Sequence, residues 1–118
     1  MSNGTQVSGA NHTQQPVTEE QLEIAAGILA LLADRTRLSL LHRLGHGEAD
    51  VTTLTEACNA ARTSVSQHLA KLRLAGLVTT RKDGRRVVYA LRHGHLRRLV
   101  DEALNVAEHE IGSLPSHD

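Results

Sequence analysis

Residues 62–91 read RTSVSQHLAKLRLAGLVTTRKDGRRVVYAL, and this stretch determines the kind of fold that we expect. Its first half predicts a helix over about Thr63–Ala75, because apolar side chains recur there at helical spacing and Gly76 follows. Those apolar residues are Val65, Leu69 and Leu72. The second half has two β-rich runs, LVTTRK and RRVVYAL, around Asp83-Gly84, a dipeptide typical of hairpin turns. A helix followed directly by a hairpin is therefore the expected centre of the fold.

A short helix is predicted just before this stretch. Thr53-x-x-Glu56 has the form of a capping box and predicts a helix from about Leu54 to Asn59. Only a few residues separate its end from the helix that begins near Thr63. Two helices joined by so tight a turn indicate a helix-turn-helix.

Further helices are predicted on both sides of this unit. Thr18-x-x-Gln21 forms a second capping box at the start of a first helix, and Asp34 is a suitable N-cap for a second helix. The second helix should stop at Gly45-His46-Gly47, and a last helix should run from about Gly94 to Ile111. The expected fold is therefore mainly α, a winged helix-turn-helix with a β-hairpin wing and one extra helix at each end.

Length and composition predict one domain. The chain has 118 residues, and we expect residues 16–112 to form the domain, with a disordered arm at 1–15 and a flexible tail at 113–118. No apolar run approaches the ~20 residues of a membrane span, and no signal-peptide pattern is present, so we expect a cytoplasmic protein without a membrane partner. The single cysteine, Cys58, excludes an intramolecular disulfide and a multi-thiolate zinc site within one chain. We expect it to pack as a small apolar side chain.

Positive charge is concentrated in the middle of a neutral chain. Residues 62–98 hold ten of the thirteen Lys and Arg and a single acid, a formal charge of +9, whereas residues 99–118 hold five acids and no Lys or Arg. A basic region of this kind is typical of a nucleic-acid-binding face. A basic surface that is merely solvated would give the same count, so charge alone leaves both interpretations open.

The predicted helix and hairpin carry side chains suited to double-stranded DNA. The N-terminal half of a recognition helix reads base edges in the major groove. That half has the short or planar hydrogen-bonding side chains Thr63, Ser64, Ser66, Gln67 and His68, of which His68 also suits a phosphate. Cations suited to phosphates or a narrow minor groove follow at Lys71, Arg73, Arg81, Lys82, Arg85 and Arg86. Helix, charge and hairpin together predict DNA binding.

Three motifs resemble the ArsR/SmtB family of bacterial metal-responsive repressors. They are LADRTRLSLLHRL at Leu32–Leu44, SVSQHLAKLRLAGLV at Ser64–Val78 and RKDGRRVVYAL at Arg81–Leu91. The resemblance covers about Leu22 to His109 and implies a homodimeric winged-helix repressor of short palindromic operators, joined through its first and last helices. It also implies that a metal or another inducer usually weakens DNA binding. Both terminal helices carry an apolar stripe, as such an interface requires.

The resemblance further implies where a metal would bind. One class of family site uses thiolates at the start of the helix-turn-helix, where this chain has Glu48-Ala49-Asp50-Val51 and no cysteine. The other class has Asp-x-His near the start of the last helix and His-x-x-His or His-x-x-Glu near its end. In this chain His95 and His109 occupy two of those positions, and His93 stands in place of the Asp. Val106 stands in place of the first distal ligand, and Glu108 is a neighbouring residue that could replace it. The implied ligands are His93, His95, Glu108 and His109.

Spacing along the helix predicts that such a site joins two subunits. His95 and His109 are fourteen residues apart, roughly 21 Å along a helix, so one metal cannot join them within a chain. Antiparallel last helices in a dimer would bring the start of one to the end of the other. Imidazole and carboxylate donors suit nickel, cobalt or zinc; five or six donors favour nickel or cobalt, which we prefer, and four favour zinc. His12 and His117 are further candidates for the shell.

Other interpretations remain open. The metal site could be vestigial, with DNA binding controlled by another ligand or a partner protein. A small metal-dependent hydrolase belongs to a different class, but the chain has no HExxH, nucleophile elbow or phosphate loop, so we expect no enzymatic activity. The last alternative is an interaction module whose function is not DNA binding. Phosphate contacts release counterions, so an affinity for DNA that does not fall with added salt would indicate this alternative.

Overall fold

The computed structural model describes residues 15–113. The predicted arm and tail, with His12 and His117, lie outside the described residues except for Gln15 and Ser113. Among residues 15–113, no helix combines the length and the apolar character needed to cross a membrane.

Five helices and three short strands make up the described part. The helices are α1 (Glu19–Leu32), α2 (Arg35–Leu44), α3 (Val51–Cys58), α4 (Arg62–Leu74) and α5 (Gly94–Gly112). The strands are β1 (Ala49–Asp50), β2 (Val78–Asp83) and β3 (Arg86–Leu91). Helices α3 and α4 form the helix-turn-helix and β2 with β3 forms the wing, so the predicted winged helix-turn-helix with a helix at each end is confirmed.

Two predicted helix starts are confirmed by their hydrogen bonds. The Gln21 backbone N–H donates to Thr18 Oγ1 at 3.0 Å, and the Thr18 N–H donates to Gln21 Oε1 at 3.2 Å, which is a complete capping box. The Arg37 N–H donates to Asp34 Oδ2 at 3.0 Å, so Asp34 caps α2. That hydrogen bond lowers the pKa of the Asp34 carboxyl below its ordinary value.

The predicted start of α3 is wrong. The helix begins at Val51, because Asp50 and not Thr53 is its N-cap, and Asp50 Oδ1 accepts from the Thr53 N–H at 2.9 Å. Thr53 and Glu56 therefore lie within the helix and form no capping box at its start. Both Asp50 and Thr53 are good capping residues, and only the path of the chain after β1 decides between them.

The sheet has one strand more than the predicted hairpin. Strand β1 pairs antiparallel with β3, with Ala49 opposite Tyr89, and gives the order β1-β3-β2. A pair of residues is too short to show strand periodicity in the sequence. In the hairpin, Asp83 pairs with Arg86, so the connecting residues are Gly84 and Arg85, one position later than predicted. Gly84 has φ +66°, a conformation that favours glycine in such a turn.

The core is centred on α2, which packs against α3, α4, α5 and β3. The largest fully buried side chains are Leu40, Leu41, Leu54, Val65, Leu69, Leu72 and Val100. Helix α1 contributes only Leu32 to the buried set, and Leu22, Ile24 and Leu29 on the same helix are exposed. On α5, Leu96 and Val100 are buried, but Val106 and Ile111 in its second half are exposed. The terminal helices thus keep much of their apolar surface outside the core of the protomer.

Candidate DNA-binding face and metal-ligating residues

Helix α4 has one buried face and one polar face. Val65, Leu69 and Leu72 lie in the core, as predicted, and this fixes which side chains face outward. The exposed residues of the helix include Thr63, Ser66, Gln67, Lys71 and Arg73. Ser64 is half-buried. Most of the predicted base-reading and phosphate-contacting side chains on α4 therefore point away from the core.

Among the α4 residues that were predicted to contact DNA, His68 differs because its ring contacts other residues of the protein. Its ring is half-buried, with Nδ1 at 3.2 Å from Arg37 Nη1 and Nε2 at 3.8 Å from Asp34 Oδ2. Arg37 Nε also donates to the Leu31 carbonyl oxygen at 2.6 Å. The ring therefore links the recognition helix to the α1–α2 junction, and we assign it to that contact rather than to base reading.

Two wing arginines are held by acidic residues near β1. Arg81 Nε donates to Glu48 Oε1 at 3.1 Å, and a second bond between the two residues makes the pair bidentate. Arg86 Nη1 donates to Asp50 Oδ2 at 3.1 Å, and its Nη2 donates to Asp83 Oδ2 at 3.0 Å. These contacts attach the wing to the residues that precede and cap α3.

The other two cations of the wing remain available to contact a ligand. In the described part of the chain, Lys82 and Arg85 form no ion pair with an acidic side chain. The hydrogen bonds from Arg81 lower the pKa of the Glu48 carboxyl, and the backbone hydrogen bond from Thr53, with a smaller contribution from Arg86, lowers that of Asp50. Both acids therefore stay ionised at neutral pH and neutralise their arginines, so the free positive charge of the wing lies at its tip.

Arg62 is a further cation on this face that sequence reasoning did not assign to DNA. It is the first residue of α4, is exposed, and its Nη1 donates to Thr52 Oγ1 at 3.0 Å. Its place within the basic segment 62–98 was the available signal. The sequence could not show that the first turn of α4 lies beside the start of α3 and the wing.

The four predicted metal ligands lie at opposite ends of α5. His93 is the N-cap residue and its side chain makes no capping hydrogen bond, and its ring centroid is 5.5 Å from that of His95. Glu108 and His109 lie in the second half of the helix, and all four residues are exposed. The structure therefore brings together the first pair and, as sequence neighbours, the second pair, but not the two pairs.

Within residues 15–113 of one protomer, no three His, Cys, Asp or Glu side chains are grouped closely enough to hold a metal ion. The donor chemistry nevertheless fits a divalent metal, because each end of α5 offers two exposed imidazole or carboxylate donors. His95 carries an extra constraint, since Arg98 Nη2 lies 2.6 Å from its Nδ1. A guanidinium only donates, so this nitrogen accepts the bond and its lone pair is occupied.

Within the described residues, the remaining histidines, His42 and His46, and the cysteine make local contacts. At the end of α2, the ring of His46 contacts that of His42 edge-on at 4.9 Å, and His46 Nδ1 donates to the His42 carbonyl oxygen at 3.0 Å. These histidines therefore interact with the end of α2. Cys58 is half-buried and packs against the core, which confirms the prediction of a small apolar side chain.

Comparison with known proteins agrees with the fold. A helix-turn-helix domain family matches residues 32–81. The HTH-type transcriptional regulator KmtR of Mycobacterium tuberculosis is 40% identical over 108 residues, which cover 92% of this chain and 83% of KmtR. The HTH-type transcriptional regulator NmtR of the same organism is 37% identical over 106 residues, covering 90% of this chain and 88% of NmtR.

Solved structures extend the similarity to almost the whole chain. The solution structure of apo-NmtR matches with a TM-score of 0.68 and 35% identity over 98% of this chain and 97% of that one. A homodimeric winged helix-turn-helix DNA-binding domain of Mycobacterium bovis, described as a possible ArsR-family transcriptional regulator, matches with a TM-score of 0.72 and 28% identity over 89% and 97%. The protein is thus a DNA-binding transcriptional regulator and not an enzyme. With this level of identity, shared length and fold, the chain belongs to the ArsR/SmtB family of winged-helix transcriptional regulators.

Proposed function

We propose that the protein is a homodimeric repressor whose affinity for operator DNA is changed by a divalent metal, Ni(II) or Co(II), with Zn(II) as the further candidate. The relatives KmtR and NmtR are bacterial, and bacterial DNA lies in the cytoplasm, so we expect the protein to act there. The observation that carries the proposal is the outward polar face of α4 beside a wing whose free cations lie at its tip. In this assignment Gln67 reads bases, and Lys71, Arg73, Lys82 and Arg85 contact phosphates.

The dimer is supported by the apolar surfaces of α1 and α5. Leu22, Ile24 and Leu29 on α1 and Val106 and Ile111 on α5 are exposed in the protomer. Apolar side chains concentrated on two helices favour burial in an interface. A relative of this fold is described as homodimeric, which agrees with that assignment. Two protomers joined there present two recognition helices to one duplex, as dimeric helix-turn-helix proteins do.

The metal proposal is supported by the donor sets at the two ends of α5. His93 and His95 lie at the start of the helix and Glu108 and His109 near its end, too far apart to act together in one protomer. If α5 pairs antiparallel with its counterpart, each pair faces the opposite pair of the other subunit. A bound metal would supply a link between subunits and so bias the separation of the two recognition helices. The solution structure of the relative NmtR is described as that of the apo protein, which means the protein without its ligand.

The test uses an operator selected from random duplexes with the wild-type protein. Its dissociation constant is measured with and without Ni(II), Co(II) or Zn(II) for the wild type and for His95→Ala. We expect at least one metal to change the affinity of the wild type about 5- to 150-fold and to leave His95→Ala unaffected. His42→Ala is the matched control, because His42 is an exposed histidine outside the site. An equal response of wild type and His95→Ala would contradict the α5 site.

The assignment of base reader and backbone contact has its own test. Gln67→Ala should reduce the preference for the selected operator over unrelated duplexes, because it removes a bidentate contact to a base edge. Arg85→Ala should weaken binding to all duplexes alike. If both variants lose affinity in the same sequence-independent way, the role given to Gln67 is wrong.

A repressor with a vestigial metal site, controlled by another ligand or a partner protein, is the second candidate. Two observations favour it: Val106 stands where the family pattern has a ligand, and Arg98 occupies Nδ1 of His95. Equilibrium dialysis against each metal distinguishes the two candidates. Stoichiometric uptake supports the sensor, and the lack of uptake of all three metals supports the alternative.

A further inference from the structure

A cleft of about 280 Å³ lies between the wing tip, the start of α3 and the first residue of α4. Its lining includes three arginines, Arg62, Arg85 and Arg86, together with Thr52 and Asp50. These residues come from β1, α3, α4 and the wing, which the fold brings together. The cleft is thus a concentration of positive charge between the two parts of the protein that were assigned to DNA.

The charges in the cleft do not cancel. Asp50 is its only acid, and both of its carboxylate oxygens are engaged, Oδ1 by the Thr53 N–H and Oδ2 by Arg86. Arg86 is further neutralised by Asp83. Within the described residues, Arg62 and Arg85 form no ion pair, so they leave about two uncompensated positive charges that face one small volume.

The charge of Arg62 does not contribute to the stability of α4. At the first position of α4 a cation interacts unfavourably with the helix dipole, so its charge does not stabilise the helix. Its Nη1 donates to Thr52 Oγ1, which fixes the guanidinium at the cleft and leaves its other donors free. A planar fork of N–H donors matches the oxygens of a phosphate.

We propose that this cleft binds one phosphate of the DNA backbone, contacted by Arg62 and Arg85 together. Thr52 positions Arg62, and the pair of Arg86 with Asp50 holds the wing at the correct distance from α3. The inference rests on the proposed DNA-binding function and adds a phosphate site that joins the recognition helix to the wing. A phosphate held there sets the depth at which the first turn of α4 enters the groove.

The experiment measures binding of the full chain to a 30-base-pair duplex of arbitrary sequence at several salt concentrations. The variants are Arg62→Gln, Arg85→Gln and the double variant. Arg92→Gln is the control, because Arg92 is an exposed cation of the same basic segment at the base of the wing, opposite its tip. Thermal unfolding followed by circular dichroism checks that each variant is folded.

Each single variant should bind roughly 3- to 10-fold more weakly at constant salt, and the control should stay within about twofold of the wild type. Because the two arginines share one phosphate, the double variant should reduce the magnitude of the negative slope of log Kobs against log salt by about 0.9 for each cleft engaged. A loss of about 1.8 for each cleft would mean two separate phosphates and would overturn the shared site.

Wild-type affinity and slope in Arg62→Gln would overturn the inference and leave the proposed function intact. If instead the wild type shows no salt-dependent binding to duplex DNA, the proposed function itself fails. Thr52→Val provides a finer readout. It should weaken binding with an unchanged salt slope, because it removes the hydroxyl that positions Arg62 but no charge.

Discussion

The three central helices, α2, α3 and α4, and the two terminal helices, α1 and α5, are built from similar aliphatic side chains but place them differently. Helices α2, α3 and α4 contribute six of the seven largest fully buried side chains, whereas α1 contributes none of these. Leu41 on α2 is 0% exposed and Leu29 on α1 is 53% exposed. The first region therefore obtains its packing energy within one chain, and the second retains apolar surface that another chain can cover. This difference separates what the protomer needs to fold from what it needs to pair.

The largest expected effect tests the first region. Leu41→Ala removes a fully buried side chain from the centre of the core and should lower the free energy of unfolding by about 2–5 kcal/mol. Leu74→Ala, at a position that is 91% exposed on α4, should change it by less than about 0.5 kcal/mol. Urea unfolding followed by circular dichroism measures both, and equal effects would contradict the assigned core.

A second variant tests whether α1 is covered in the dimer. Leu29→Glu should raise the dimer dissociation constant about 30-fold or more, because it places a charge in an apolar interface. Leu74→Glu introduces the same charge on an exposed leucine outside α1 and α5 and should not affect dimerisation. Analytical ultracentrifugation over a range of protein concentrations measures both. A Leu29→Glu protein that dimerises like the wild type would show that α1 is not part of the interface.

A third variant concerns the metal ligands at the start of α5. Arg98→Leu removes the donor that occupies Nδ1 of His95 and should tighten metal binding several-fold, on the order of 1 kcal/mol. Arg97→Leu is the matched control, because Arg97 lies next to it but pairs with Asp101 at 3.7 Å. Isothermal titration with Ni(II) and Co(II) measures the affinities. If both variants bind metal equally, the hydrogen bond to His95 does not compete with the metal.

The smallest effect is a pH dependence in the first region. The pKa of Asp50 lies below its ordinary value of 3.8, so its ionised form stabilises the folded state above that pH, and the stabilisation is lost as pH falls through the lowered pKa. Asp50→Asn keeps a good N-cap but does not titrate. The wild type should therefore exceed this variant in stability at pH 7 by more than at pH 3, as measured by urea unfolding. A difference independent of pH would show that the charge of Asp50 has no role.

Prediction from the sequence succeeded where the signal was local. The caps at Thr18 and Asp34 and the polar face of α4 each depend on residues within one or two helical turns, and the structure confirms them. Prediction failed at the start of α3, where Asp50 and Thr53 were both suitable caps. It also missed β1, because two residues carry no periodic signal and the strand exists only through its pairing with β3.

The candidate site divides in the same way. The outward position of Gln67 follows from the spacing of the apolar residues on α4. The two pairs of candidate metal ligands on α5 follow from the sequence and the family pattern. The pairing of Arg81 with Glu48 joins residues 33 positions apart, and the contact of His68 with Arg37 joins residues 31 apart. Contacts between residues so far apart in the chain produce no periodic or local motif that a single sequence could show.

The amino-acid sequence by itself determined the order of helices and hairpin, the basic character of the central segment and the side chains that α4 presents to solvent, because these depend on neighbours in the chain. The tertiary structure decided which cations of the wing are neutralised and that Arg62, Thr52 and Arg85 meet in one cleft. The physical reason is that the charge available to a ligand depends on distances between side chains. Those distances exist only after α3, α4 and the wing have packed around the core.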